Sequence, residues 1–368
     1  MRCRNCGAAA PQNIPKEFTH NLGLDCESLA DVYYCGSEEN WNKVIVDVDS
    51  NRPLTSATIH FSEGFNYVDG QWAFYKDGVL DQTASGLVKG IVDSVSGWYY
   101  VENGLLAKKS GLAQRADGSN KKWYYVKDGV YDKTVSGLAQ KANGSTSTWL
   151  YVKNGVYTKA TGLAQKADGS DTKWYYVKNG VYDKTATGLA QKAYGSTSTW
   201  LYVKNGVYTK STGLAQKIDT SSDSKWYYVY KGNVRKASYY KTNNLKSAGI
   251  AQKIVKTNDT NWYYVSKSGT IEKATGLAQK IGSSSTNWYY VKNGVYTKAT
   301  GIAKKADGSS TTWYYVKNGA YTKTTCIAKR AGSSSNTQYY VKNGKFSKVT
   351  GKVTIGTKTY NLVNGVVK

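Results

Sequence analysis

Residues 162–187 read GLAQKADGSDTKWYYVKNGVYDKTAT, and almost the same text returns at 137–161 and 276–300, and recognisably from 86 to 325. Tryptophan keeps the phase, at 72, 98, 123, 149, 174, 200, 226, 262, 288 and 313. The step is about 25 residues, a period of repeat architectures rather than of a compact globule. Within one repeat GLAQK is a short apolar start, the DGS cluster is a turn, and WYYV is a run of strand-formers. The following Asn-Gly or Asp-Gly is a strong hairpin signal, because both central positions of the tight turn want positive φ. VYTK then resumes the strand pattern. Each repeat is thus two or three short strands with two turns, too small to stand alone, so neighbours must stack and share a core. Two strands per repeat at ~4.8 Å each advance the stack by roughly 10 Å, giving a rod on the order of 100 Å.

Composition agrees with an all-β chain. The 368 residues include 33 Tyr and 11 Trp against 5 Phe and 1 Met, so the apolar mass is mostly rings with a polar handle, suited to half-exposed sheet surfaces. Gly is plentiful at 37 and Pro scarce at 3, which favours many tight turns over a polyproline stalk. The formal charge of +25 favours an anionic partner without choosing among glycan, phosphate polymer, nucleic acid and membrane surface. No apolar run is long enough to cross a bilayer, and the opening MRCRNCGAAAP has no hydrophobic region of a secretion signal. Either the chain is intracellular or its true N-terminus lies upstream.

Alternation along the strand puts Trp174 and Tyr176 on one face and Tyr175 and Val177 on the other, with one pair inward. Two readings stay open. The rings can form the core, which suits the tryptophans and the leucine of GLAQK as the most regular apolar positions. They can also form a ladder of platforms for sugar rings or cationic headgroups, which suits tyrosines facing partly outward. The candidate ladder is Trp123, Trp149, Trp174, Trp200, Trp226, Trp262, Trp288 and Trp313 with Tyr124, Tyr125, Tyr151, Tyr175, Tyr176, Tyr202, Tyr227, Tyr228, Tyr263, Tyr264, Tyr289, Tyr290, Tyr314 and Tyr315. Lysines such as Lys153, Lys159 and Lys166 recur in phase, either as basic rows or as a solvated surface that keeps edges apart.

The order Gly-apolar, turn, WYY, turn with Gly, short strand resembles the cell-wall-binding repeats of Gram-positive surface proteins. That superfamily includes choline-binding and glucan-binding repeats and the repeat arms of clostridial toxins. The resemblance covers roughly 65–368 and implies an elongated β-hairpin solenoid that recognises choline on teichoic acid, glucans or other glycans between consecutive repeats. Choline-type repeats carry Trp directly after the first Gly, whereas this chain has Leu112, Leu138, Leu163, Leu189, Leu214 and Leu277 there. The expectation is therefore a neutral or anionic glycan, with a purely spacing role as the alternative.

Residues 22–61, with DCESL, DVYY and SEENWNK, resemble the last turn and end-cap of BspA-like leucine-rich repeats. That implies a remnant of a longer surface protein carrying a secretion signal and a recognition domain upstream. The expected organisation is an unassigned, poorly ordered 1–20, a leucine-rich-repeat end-cap remnant at 21–62, and a repeat array at 63–368. An irregular repeat near 230–248, where about ten extra residues within YKGNVRKASYYKTNNLKSAG interrupt the spacing, is expected to form a protruding hairpin or a bend.

Chemistry is sparse. Cys3 and Cys6 form half a zinc knuckle that Cys26 and Cys35 could complete, but the second pair is spaced too widely for an ordinary ribbon. Cys326 and Gln338 replace the Gly and Trp of their repeat, as expected of decay toward a C-terminal cap. No nucleophile–base pair, phosphate loop, paired carboxylates, metal or cofactor motif stands out. The reading is a non-catalytic, surface-associated protein whose repeats hold cell-wall polysaccharide, teichoic acid or another glycan multivalently. A stalk that holds an adhesive head away from the cell, toward a host surface, comes second. Non-specific polyanion binding comes third, with nucleic acid unsupported by any motif.

Overall fold

The computed structural model describes residues 17–18, 29–34, 37–46, 52–61, 63–195, 198–219, 223–255 and 258–368. Cys3, Cys6, Cys26 and Cys35, and all but two of the first twenty residues, lie outside these. The described chain is mostly β, built from repeated antiparallel hairpins, and no helix in it is long and apolar enough to cross a membrane. It forms two compact bodies, one of residues 1–172 with 177–182, the other of 173–176 with 183–368.

In the first body two short pairings precede the hairpins. Asp31–Tyr34 runs parallel to Thr58–Phe61, and Glu17–Phe18 parallel to Ile45–Val46. Asn66 Nδ2 donates to Tyr34 Oη at 2.8 Å and Asn40 Nδ2 to Tyr75 Oη at 2.9 Å, tying this region to the first long hairpin, Gly64–Val68 with Gln71–Lys76.

The repeat that begins at Gly137 shows the common plan. Gly137–Ala139 pairs with Leu150–Lys153, which turns back through Asn154-Gly155 into Val156–Tyr157. Both turn residues have the expected positive φ, 50° and 74°. The returning strand also pairs backwards, Val156 with Tyr124 of the preceding repeat. A second link runs through the backbone. Leu112 N donates to Gln140 O at 2.8 Å and Ala142 N to Leu112 O at 3.0 Å, so each GLA strand is crossed by the chain of the next repeat. That crossing sets the opening glycine: a Cβ on Gly111, at φ 143°, would stand 2.7 Å from Gln140 O.

The core is a series of layers between consecutive repeats. One layer joins Leu112 and Tyr125 with Ala139 and Val152 of the next repeat; another joins Leu277 and Tyr290 with Ala303 and Val316. The strand therefore has no solvent face at its centre, because its tyrosine points to the following repeat and its valine to the preceding one. This corrects the expectation that only one pair points inward. Tyr125, Tyr151, Tyr176, Tyr202, Tyr228, Tyr264, Tyr290 and Tyr315 are all buried, between 0 and 8% exposed. They are core, not outward platforms.

At the irregular step, in the second body, the hairpin alternative is corrected. The extra residues form a short helix, Ala237–Thr242, in place of a protruding hairpin. Asn244 takes positive φ (53°) just past the helix end, the left-handed position that closes helices, instead of a hairpin turn. Tyr240 is buried against Tyr228 and Tyr230, with centroids 6.0 Å apart in both pairs, and enlarges the layer of Leu214, Ala251 and Val265.

Candidate functional site

The tryptophans from Trp98 to Trp313 lie half-buried, and each is capped by the chain's own cation. The Lys of the next GLAQK, or the Arg in its place, sits with its charged group 4.3–4.9 Å from the ring centroid. The pairs are Arg115 on Trp98, Lys141 on Trp123, Lys166 on Trp149, Lys192 on Trp174, Lys217 on Trp200, Lys253 on Trp226, Lys280 on Trp262, Lys305 on Trp288 and Arg330 on Trp313. Each such contact contributes about 0.5–2 kcal/mol, depending on how dry it is. The same cation often meets a second ring, the half-buried first tyrosine of its own repeat: Lys253 is 4.8 Å from Tyr263 and Lys217 is 5.6 Å from Tyr227. In two repeats Leu150 and Leu201 stand where that tyrosine would be. Tyr124, Tyr175, Tyr227, Tyr263, Tyr289 and Tyr314 are the half-buried members of the candidate ladder.

The glutamine of GLAQK fixes the loop that carries the tryptophan. Gln114 Nε2 donates to Lys121 O at 3.0 Å, and Gln140 Nε2 to Ser147 O at 2.9 Å. Three residues before the tryptophan, Asp171, Asp223 and Asp259 reach the capping lysine: Lys166 at 3.1 Å, Lys217 at 2.7 Å and Lys253 at 2.7 Å. Tyr227 and Tyr263 donate their hydroxyls to the same carboxylates, Asp223 and Asp259. Hydrogen bonds from Lys217 and Lys253, then from these tyrosines, hold both carboxyls well below the usual carboxylate range. Tyr227 is in turn pushed up to about 12 by its bond to Asp223.

Beside the capped rings the same groove appears in two places. In the second body a cavity of about 220 Å³ is lined by Tyr264, Leu277, Gln279, Trp288, Lys305 and Asp307. In the first body one of about 360 Å³ is lined by Tyr100, Leu112, Gln114, Trp123 and Asn143. The linings correspond position for position across three consecutive repeats: the second tyrosine of one, the leucine, glutamine and tryptophan of the next, and the Asp or Asn after the capping lysine of the third.

Of the rings singled out in the sequence, Trp123, Trp288 and the second tyrosine Tyr264 line these grooves, whereas the first tyrosines do not; the second tyrosines are at the same time buried in the layers between repeats. The sequence reading named Lys166 only as one of a recurring row, and it missed the groove residues Gln114 and Asn143 of one repeat pair and Gln279, Lys305 and Asp307 of the other. Lys166 is half-buried on Trp149, unlike the exposed Lys153 and Lys159 with which it recurs. The available signal was the fixed order of Gln, Lys and the acid relative to tryptophan.

Six segments, 88–106, 116–132, 159–183, 273–295, 298–320 and 333–346, match the family model of the choline-binding repeat. Solved structures with similarity include choline-binding protein F from Streptococcus pneumoniae, at 20% identity over 83% of this chain and 93% of that one, with a TM-score of 0.25. The same protein was solved in the presence of a peptidoglycan analogue, a tetrasaccharide-pentapeptide, with the same identity, coverage and TM-score. An alternansucrase in complex with isomaltononaose is 18% identical over 80% of this chain and 19% of its own length, TM-score 0.25. No curated protein matches the chain.

Proposed function

We propose that the chain is a non-catalytic, cell-surface binding protein whose inter-repeat grooves hold a wall polysaccharide or related glycan multivalently. The observation that carries this is the recurrence of one groove, with an aromatic wall and hydrogen-bonding Gln and Asp or Asn, at Trp123 and again at Trp288. An apolar platform ringed by a few polar groups suits a sugar, which offers an apolar face and hydroxyl edges. The match to choline-binding repeats supports a wall ligand. The lysines argue against choline itself, since the ring face that would attract a quaternary ammonium already carries an ammonium of the chain. The parallel pairing around Asp31–Tyr34 supports reading 21–62 as the end-cap remnant of a leucine-rich repeat.

Weak grooves in series gain by effective concentration. Saturable binding of the full chain to purified wall polysaccharide is therefore expected. Trp288→Ala alone should weaken it less than about threefold, whereas Ala at Trp123, Trp174, Trp226 and Trp288 together should weaken it by orders of magnitude. If no wall polymer or glycan binds while near-ultraviolet circular dichroism shows a folded chain, the repeats are a spacer.

A further inference from the structure

Six of the seven capping lysines fall into two groups; the seventh, Lys305, has Ser310 at the aspartate position and shares its groove with Asp307. Lys166, Lys217 and Lys253 each hold an aspartate of their own repeat. Lys141, Lys192 and Lys280 are pinned on Trp123, Trp174 and Trp262 in the same way, yet among the described residues no carboxylate lies within 4.0 Å of them. Their repeats carry Thr146, Thr197 and Ser285 where the others carry aspartate, and Asn143, Tyr194 and Gly282 two residues after the lysine. At Lys141 and Lys192 the neighbouring phenol is gone too, replaced by Leu150 and Leu201. The groove of about 360 Å³ walled by Trp123, the ring beneath Lys141, is also lined by Glu102, whose carboxylate is held by Lys109 at 2.6 Å.

We infer that Lys141, Lys192 and Lys280 are anion-accepting subsites, each taking one carboxylate or phosphodiester oxygen of the bound polymer. Asp171, Asp223 and Asp259 display the contact such a ligand would make, an acidic oxygen 2.7–3.1 Å from an ammonium held over an aromatic face. The ring fixes the ammonium, so the ligand meets a preorganised charge instead of a mobile surface lysine, and a charge-assisted hydrogen bond forms at little ordering cost. Repeats with their own aspartate are closed to anions and keep only the sugar-facing part of the groove. Two kinds of repeat therefore share one fold, and their order along the chain sets where negative charges on a polymer are favoured. This rests on the glycan reading above and deepens it.

The test uses the full chain and three soluble polymers: polygalacturonate for carboxylates, poly(glycerol phosphate) for phosphodiesters, and a neutral glucan. Thr146→Asp, Thr197→Asp and Ser285→Asp together supply the missing carboxylates. The matched control, Thr148→Asp, Thr199→Asp and Asn287→Asp, adds the same charge immediately before each tryptophan, at positions that are exposed. The closing variant should bind one or both polyanions about tenfold or more weaker than the control, with glucan binding unchanged. Which polyanion loses affinity identifies the anion. The reverse variant, Asp171→Thr with Asp223→Ser and Asp259→Ser, should strengthen polyanion binding and provides a second reading if the first variant folds poorly. Equal losses in closing and control variants overturn the inference and leave the glycan reading standing, since the effect is then diffuse charge. Failure of the wild-type chain to bind any of the polymers overturns both.

Discussion

Gly276→Ala isolates the crossing that couples one repeat to the next. Gly276 has φ 147°, and a Cβ there would lie 2.6 Å from Lys304 O and 2.7 Å from Ala306 N, both backbone atoms of the next repeat that cannot swing aside. A side chain in this backbone region costs about 1–3 kcal/mol, and forcing a methyl into packed backbone costs about 1–3 kcal/mol more. At about 1.4 kcal/mol per tenfold, the sum of about 2–6 kcal/mol is roughly a 30-fold to ten-thousand-fold rise in local opening. The bonds at stake are Leu277 N to Lys304 O at 2.8 Å and Ala306 N to Leu277 O at 2.9 Å. Hydrogen exchange with peptide resolution reads them directly, since local opening sets amide protection. The chain supplies two internal controls. Gly351 has φ 120° but nothing within 4 Å of its Cβ position, so Gly351→Ala should cost only the backbone part. At Cys326 a side chain already replaces the glycine, φ is not positive, and no crossing bonds reach Ile327 among the described residues. Cys326→Gly should therefore change protection by less than about 1 kcal/mol. Protection around Leu277 and Ala306 within threefold of wild type, or an equal loss in Gly351→Ala, would refute the crossing as the source of the glycine requirement.

Two further outcomes follow from the buried tyrosines. Burial raises the phenol pKa of Tyr125, Tyr176, Tyr202, Tyr264 and Tyr290, so the folded state favours the neutral form; its stabilisation is present below the unfolded value of about 10 and is lost as pH rises beyond it. Phenolate absorbance should appear for these rings together with loss of near-ultraviolet circular dichroism, and their free titration near pH 10 with the fold intact would contradict the burial. Tyr290 Oη donates to Ala331 O at 2.9 Å, two repeats on, so Tyr290→Phe should lower stability by about 1 kcal/mol in urea unfolding. A loss below the error of the measurement would mean that this bond contributes nothing.

Much of the architecture was legible in the sequence, because period, turn chemistry and apolar starts all point to one hairpin unit. Asn154-Gly155 and the buried Leu112, Leu138 and Leu163 sit where the pattern puts them. The second tyrosines were not legible, because strand alternation assumes one dry face and one wet face, and a strand stacked between two neighbours has no wet face. The helix at Ala237–Thr242 escaped for a related reason: Tyr240 gains its place by packing on Tyr228 and Tyr230, a tertiary demand with no local signal. Lys141 on Trp123 was hidden because its ring belongs to another repeat. Only the stacking register decides which lysine meets which tryptophan.

Because Leu112 and Tyr125 meet Ala139 and Val152, while Leu277 and Tyr290 meet Ala303 and Val316 in the same way, these regular repeats present their successors with the same complementary surface. Unequal recombination between the near-identical stretches at 137–161 and 276–300 would join halves that already fit. Copy number can therefore drift by whole repeats without a compensating core mutation, and lineages should differ in array length sooner than in repeat interior. The strand Cys326–Ala328 is exempt from this freedom, since it no longer keeps the glycine that a crossing successor would demand.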